Sequence, residues 1–217
     1  MIRVLGRRNS ANVQKVMWTL GELNLEYVRE DIGGTFGYPS DYPNPNPVVP
    51  TLYDEDICVW ESNACVRYLA RTYGDGSLWP AQQAALAEAD MWMEWQRSDI
   101  SNAFFPLFMM LIREINASPE RIARATQQCG EVFGQLDTQL EGRQFICGDE
   151  LTMADIAIGA MMFRYMNLNV DRPSLPSLEA WYARLTQRPA YRKHVMLEFG
   201  SNLAEWNAHE QANAGIQ

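Results

Sequence analysis

The chain has 217 residues, 47% of them hydrophobic, enough to fill one large core or two modest ones and too many for a disordered chain. Its formal net charge of −9, with a pI near 4.8, opposes the phosphates of nucleic acids and the anionic face of a membrane. The densest basic cluster is only the pair Arg7-Arg8, so neither partner is expected. In chain order, residues 2–5 read as a first strand and residues 13–23 as an amphipathic helix with Val16, Leu20 and Leu23 on one face. Residues 27–32 read as a second strand, which completes a βαβ opening. Residues 33–47, rich in Gly, Pro, Asn and Asp, read as loop or irregular helix. Residues 51–53 and 57–60 form a hairpin across Asp54-Glu55-Asp56, and Ser62 opens a helix that runs to about Tyr73.

Trp79-Pro80 marks a boundary beyond which strand signals stop. Helical stretches follow at residues 82–97, 100–115, 119–140, 152–167 and 175–187. The expected class is α+β, with a mixed unit over residues 1–79 and an all-helical unit over residues 85–217. Thr152-Met153-Ala154-Asp155 has the form of a capping box and is read as structural. Cys58, Cys65, Cys129 and Cys147 show no CxxC spacing, and only His194 and His209 exist to join them, so no metal site is expected and the thiols are read as reduced. The first residues enter a strand without a signal-type apolar run, and the longest apolar run, 103–112, is interrupted by Pro106. A cytoplasmic protein is expected.

Three short stretches carry chemistry. In Val49-Pro50-Thr51-Leu52-Tyr53 a proline precedes a strand. A cis bond there would turn the main-chain N–H and C=O of Val49 outward to pair with an extended peptide, whereas a trans bond would make Pro50 an ordinary first strand residue. In Trp60-Glu61-Ser62-Asn63 a carboxylate and a hydroxyl stand at a helix start. They suit the head of an α-amino acid, or serve as a plain cap and a solvated charge. Residues 7–15 form the first strand-to-helix junction. There Ser10 lacks the histidine and aspartate that would make it a nucleophile, so it is either a cap or a hydrogen-bond donor to another molecule's thiolate.

In their order and spacing these pieces resemble the cytosolic glutathione S-transferase family, in its bacterial serine-type theta-like or nu-like forms. The likeness covers nearly the whole chain and includes Gly148-Asp149 before the capping box. It implies a thioredoxin-like N-terminal domain with a mixed four-stranded sheet, followed by an all-α domain. It also implies glutathione as co-substrate: its cysteinyl backbone on Val49 beside a cis Pro50, its γ-glutamyl end on Glu61 and Ser62 with Asn63 next to them, and its sulfur at the first junction. The junction has no tyrosine or cysteine, so Ser10 is the first donor to sulfur and Asn12 the second.

Two departures from the family stand out. Pro47 occupies a position where many relatives carry glycine, and residues 33–47 lack the basic side chains that many relatives give the glycyl carboxylate. Lys15, Asn44 or an amide of Gly33-Gly34-Thr35-Phe36-Gly37 is then expected to serve that carboxylate, unless it is held loosely. The resemblance places the acceptor pocket between the domains, with Phe104, Phe105, Phe108, Met109 and Arg113 as its candidates, several of which double as core. It further implies a homodimer, in which Asp99 reaches the neighbour's γ-glutamyl group. The activity implied is conjugation of a small hydrophobic electrophile in detoxification. The alternatives are glutathione-dependent disulfide exchange and a noncatalytic module that binds ligands or partners.

Overall fold

The computed structural model describes residues 1–217 except Asp75, Ser77 and Ile115; the last of these, the expected end of the 100–115 stretch, lies outside the described residues. The N-terminal part runs β1 (Ile2–Leu5), α1 (Ala11–Glu22), β2 (Tyr27–Glu30), a single 3-10 turn (Gly34–Phe36), β3 (Thr51–Asp54), β4 (Ile57–Trp60) and α2 (Ser62–Tyr73). The sheet order is β2-β1-β3-β4. β1 pairs parallel with β2, and the other two pairings are antiparallel. The β3–β4 connection needs only Glu55 and Asp56, and Glu55 takes the positive φ of 52° that so tight a hairpin requires.

The helix expected to be amphipathic on one face is buried on both. Val13, Val16 and Leu20 of α1 join Ile2, Val4, Leu52 and Leu69 in the core beneath the sheet, while Ala11 and Trp18 belong to the larger helical core. Its polar residues Gln14, Lys15 and Thr19 are consequently buried as well. A helix between two layers has no solvent face, which a one-sided periodicity does not reveal.

The helical part begins with α3 (Gln83–Trp95), continues through a π-helical stretch (Gln96–Ile100) into α4 (Ser101–Phe108), and passes into a second π-helical stretch (Met109–Arg113). The two stretches expected at 82–97 and 100–115 are therefore one continuous run, with Pro106 inside it. π-Helical turns often mark sites where a helix re-aims side chains, and both of these supply residues to the cavities described below. Next come α5 (Pro119–Gln139), α6 (Met153–Asn167), α7 (Pro176–Thr186), α8 (Pro189–His194) and α9 (Leu203–Ala212).

α6 is the central post of this core, starting at the Thr152–Asp155 capping box. The fully buried Asp155 carboxylate accepts from Thr152 N–H (2.9 Å), Ile146 N–H (3.0 Å) and the Trp181 indole (2.9 Å), which ties α6 to the preceding loop and to α7. The helices α8 and α9 were not expected from sequence. Among the described residues, no helix is long and apolar enough to cross a membrane, and no group of three or more His, Cys, Asp or Glu could hold a metal ion.

Candidate functional site

The site starts where β1 hands the chain to α1. Ser10 occupies the N-cap position with extended backbone (φ −79°, ψ 125°), but its hydroxyl makes no capping bond; only its carbonyl engages the helix, accepting Gln14 N–H at 2.8 Å. The hydroxyl is thus left at the positive end of a buried helix. Two residues on, within the first turn, the Asn12 Oδ1 accepts the Ser62 hydroxyl at 3.2 Å and links the first junction to the start of α2.

The Val49–Pro50 peptide bond is cis, and the Val49 main chain makes no hydrogen bond among the described residues. The segment leading to it is fixed by Tyr42, whose hydroxyl donates to Val48 C=O (2.8 Å) and accepts from Thr51 (2.9 Å). Glu61 has a φ of 69°, a region unusual for a residue with a side chain, at the very start of α2. Its half-exposed carboxylate faces Arg97 at 3.4 Å.

These residues line two adjoining cavities. A cleft of about 230 Å³ is bounded by Ser10, Asn12 and Val49 on one side and by Phe104, Phe105, Phe108, Met109 and Arg113 on the other. A more polar hollow of about 480 Å³ is bounded by Lys15, Glu61, Ser62, Asn63 and Arg97. Asn12 and Phe105 border both. Phe104 and Phe108 are almost wholly buried and also serve the core, whereas Met109 is exposed. Pro50 and Phe36 border neither cavity; Phe36 sits on the single turn that α9 packs against.

The residues expected at a glycyl carboxylate are engaged elsewhere. The Lys15 ammonium, fully buried, donates to Gln96 Oε1 (2.7 Å) and Asn63 Oδ1 (2.9 Å), behind Ser62 and away from the 33–47 loop. Burial, helped by the nearby positive charge of Arg97, pulls its pKa down from 10.5 to about 7. Asn63 also donates to Met93 C=O (3.0 Å), so its side chain belongs to the packing of α2 on α3. Asn44 serves its own loop through Val48 C=O and Asn46 N–H. In the 33–37 turn, the amides of Gly33, Thr35, Phe36 and Gly37 already donate within the protein.

Four side chains at the cleft escaped the sequence reading. Arg164 of α6, 4% exposed, donates to Asn9 C=O (2.7 Å) and Gln14 Oε1 (2.9 Å); burial lowers its pKa to about 9. A lone charge in the apolar run Met161-Met162-Phe163 was the available signal. Arg7 forms an ion pair of 2.7 Å with the buried Glu210 of α9, whose other oxygen accepts Thr35 N–H. Trp206, also on α9, completes the wall beside Phe108 at 5.4 Å between ring centroids. The amide of Asn9, 2% exposed, borders the cleft with neither polar atom bonded among the described residues.

Residues 1–71 match the family described as glutathione S-transferase, N-terminal domain, and residues 119–184 match glutathione S-transferase, C-terminal domain. The glutathione S-transferase GstB of Escherichia coli K12 is 40% identical over 205 residues, which cover 91% of this chain and 99% of that one. Glutathione S-transferase D7 of Drosophila melanogaster is 29% identical over 79% of this chain and 77% of its own. Among solved structures, the theta class glutathione S-transferase of the citrus canker pathogen Xanthomonas axonopodis pv. citri, with glutathione bound, superposes with a TM-score of 0.88. It is 40% identical, and the match covers 92% of this chain and 99% of that one. The sheet order, the cis bond before β3 and the likeness over nine-tenths of the chain lead to one conclusion: this chain belongs to the glutathione S-transferase family.

Proposed function

We propose that the protein is a glutathione transferase in which Ser10 holds the glutathione sulfur as a thiolate for attack on a small electrophile in the adjoining cleft. The observation that carries this reading is the Ser10 hydroxyl, unused as a cap, at the N-terminus of α1 and in the same cleft as the Val49 main chain, which is unpaired among the described residues. Val49 pairs with the cysteinyl backbone. Glu61 and Ser62 receive the γ-glutamyl head in the polar hollow, where Glu61 meets the ammonium and the start of α2 meets the carboxylate.

The chemical task is to favour the charged form of a thiol that is mostly protonated at neutral pH. Ser10 donates a hydrogen bond to the sulfur, and the free amides of the first α1 turn add their partial positive charge. Asn12 is the second donor, since its Oδ1 is occupied by Ser62 and its Nδ2 remains to donate. Arg164, one residue behind Ser10 through Asn9, adds a full positive charge in a poorly solvated setting. In conjugation a sulfur–carbon bond forms, the leaving group departs with its electron pair, and the thiol proton goes to solvent.

The protein acts in the cytoplasm as a homodimer. Exposed apolar side chains at Trp60, Tyr73 and Met91 on β4, α2 and α3 supply a face for the second copy, and Asp99, in the exposed part of the first π-helical stretch, reaches the partner's γ-glutamyl site. In this reading residues 1–79 form the glutathione-binding unit and residues 85–217 the acceptor-binding unit, with each cavity taking side chains from both.

The test is retention on immobilised glutathione together with turnover of chlorodinitrobenzene and of a small disulfide. Ser10→Ala is expected to lower kcat/KM for the aryl halide about a hundredfold and to remove the ultraviolet absorbance of bound thiolate at neutral pH, with stability unchanged because no cap is lost. Undiminished activity in this variant refutes the role of Ser10; retention without turnover of either substrate would leave a binding module instead.

A further inference from the structure

The chain is strongly acidic, yet among the described residues the cleft beside Ser10 is lined by three arginines, Arg7, Arg113 and Arg164, and by no Asp or Glu side chain. Their charges are not equally met. Arg7 is answered by Glu210 at 2.7 Å. Among the described residues Arg164 bonds only the neutral oxygens of Asn9 and Gln14, and it lies over the rings of Phe108 (5.6 Å) and Trp206 (5.8 Å). Its position behind Ser10 directs its field at the sulfur.

Arg113 has no such assignment. It ends the second π-helical stretch on the wall facing Ser10, forms no ion pair among the described residues, and has only the Met109 sulfur at 3.8 Å. The adjacent Glu114 turns away to Arg121 at 2.5 Å. Arg113 also lies close enough to Arg7 to repel it, so two like charges flank the cleft with no acid on the Arg113 side. An unanswered arginine beside Phe105 and Phe108 offers a charged fork next to an apolar, aromatic floor.

We propose that the electrophile this cleft accepts bears a carboxylate, which Arg113 receives while the carbon to be attacked lies against Phe105 and Phe108 within reach of the sulfur held at Ser10. This rests on the reading of the cleft as the acceptor side of a glutathione transferase. With a carboxylate-bearing aryl halide, the sulfur–carbon bond forms and the carbon–halogen bond breaks. The halide leaves with its electron pair, and the carboxylate stays on Arg113 unchanged.

The experiment compares a chloronitrobenzoate with the matching chloronitrobenzamide at saturating glutathione, each rate divided by its uncatalysed rate. The benzoate is expected to be favoured in kcat/KM by about tenfold or more, the worth of a charge-assisted contact. Arg113→Met should erase that preference through KM for the benzoate, and Arg113→Lys should restore part of it. Thiolate absorbance is recorded in parallel as a readout of the glutathione side alone.

An absence of preference in the wild type, or equal losses on both substrates in Arg113→Met, overturns the proposal. So does a higher KM for glutathione with both acceptors, because the arginine would then hold glutathione's own carboxylate. If bound thiolate is seen but neither acceptor turns over, the acceptor assignment alone fails; if no thiolate is seen and nothing turns over, the underlying reading fails with it.

Discussion

Lys15 illustrates how a buried residue can matter to the site through the side chains it positions. Its ammonium holds Asn63 and Gln96 in place behind Ser62, with no carboxylate among its bonding partners. Because burial lowers its pKa from 10.5 to about 7, the unfolded chain binds this proton more readily than the folded chain between those values. Stability must therefore rise with pH through that window, by up to about 1.4 kcal/mol per unit, and show no slope from this group below pH 7. Urea unfolding of wild type and Lys15→Met should show the wild type gaining on the variant from pH 7 upward; parallel profiles would refute a depressed Lys15. None of this was visible in the sequence, where Lys15 was a candidate partner for the glycyl carboxylate. The placement of Ser10, Val49, Glu61 and Ser62 along the two cavities was legible because short-range rules, a proline before a strand and a hydroxyl before a helix, fix their surroundings. The partners of Lys15 lie 48 and 81 residues away and depend on the packing of α2 and α3 against α1.

At the scale of elements, α1 and α8 approach so closely that a Cβ on Gly21 would stand 2.9 Å from that of Ala190 and 3.0 Å from the His194 ring. His194 is buried by this contact, and its pKa falls from 6.5 to about 4, first from burial and then from the positive charges of Lys193 and Arg8. A histidine held neutral in the fold contributes stability that is complete above pH 6.5 and drains as pH falls toward 4. Acid unfolding should therefore be shallower in His194→Gln than in the wild type between those values, and identical slopes would exclude His194 as a source of acid sensitivity. Sequence periodicity captured the strands, the β3–β4 hairpin and the start of α2, each set by residues adjacent in the chain. It divided α3 and α4 at a point where a π-helical stretch, Gln96–Ile100, carries the helix through. It also passed over α9, whose residues show no apolar face strong enough to announce a helix; there only Trp206 and Glu210 are buried, and both are buried by distant parts of the chain.

At the scale of the whole molecule, the tail connects the two halves. α9 supplies Trp206 to the cleft and Glu210 to Arg7, so the cleft wall and the charge balance of the first junction both depend on residues beyond 200. Replacing Trp206 with Ala should destabilise the protein by about 3 kcal/mol and lower kcat/KM for aryl halides while leaving retention on immobilised glutathione intact, since the polar hollow takes no residue from α9. Lost retention in that variant would show that the tail supports glutathione binding as well.

The tail does something further at the sheet. Gln217 uses its carboxamide as a one-residue strand, accepting Arg29 N–H at 2.6 Å and donating to Arg29 C=O at 3.2 Å, while the Arg29 side chain grips Ile216 C=O at 2.7 Å. Arg29 lies on β2, one of the two edges of the sheet, and β4 is the other. A neighbour's strand pairing at β2 would have to displace this cap at Arg29, which makes that edge the harder one for edge-to-edge aggregation to use.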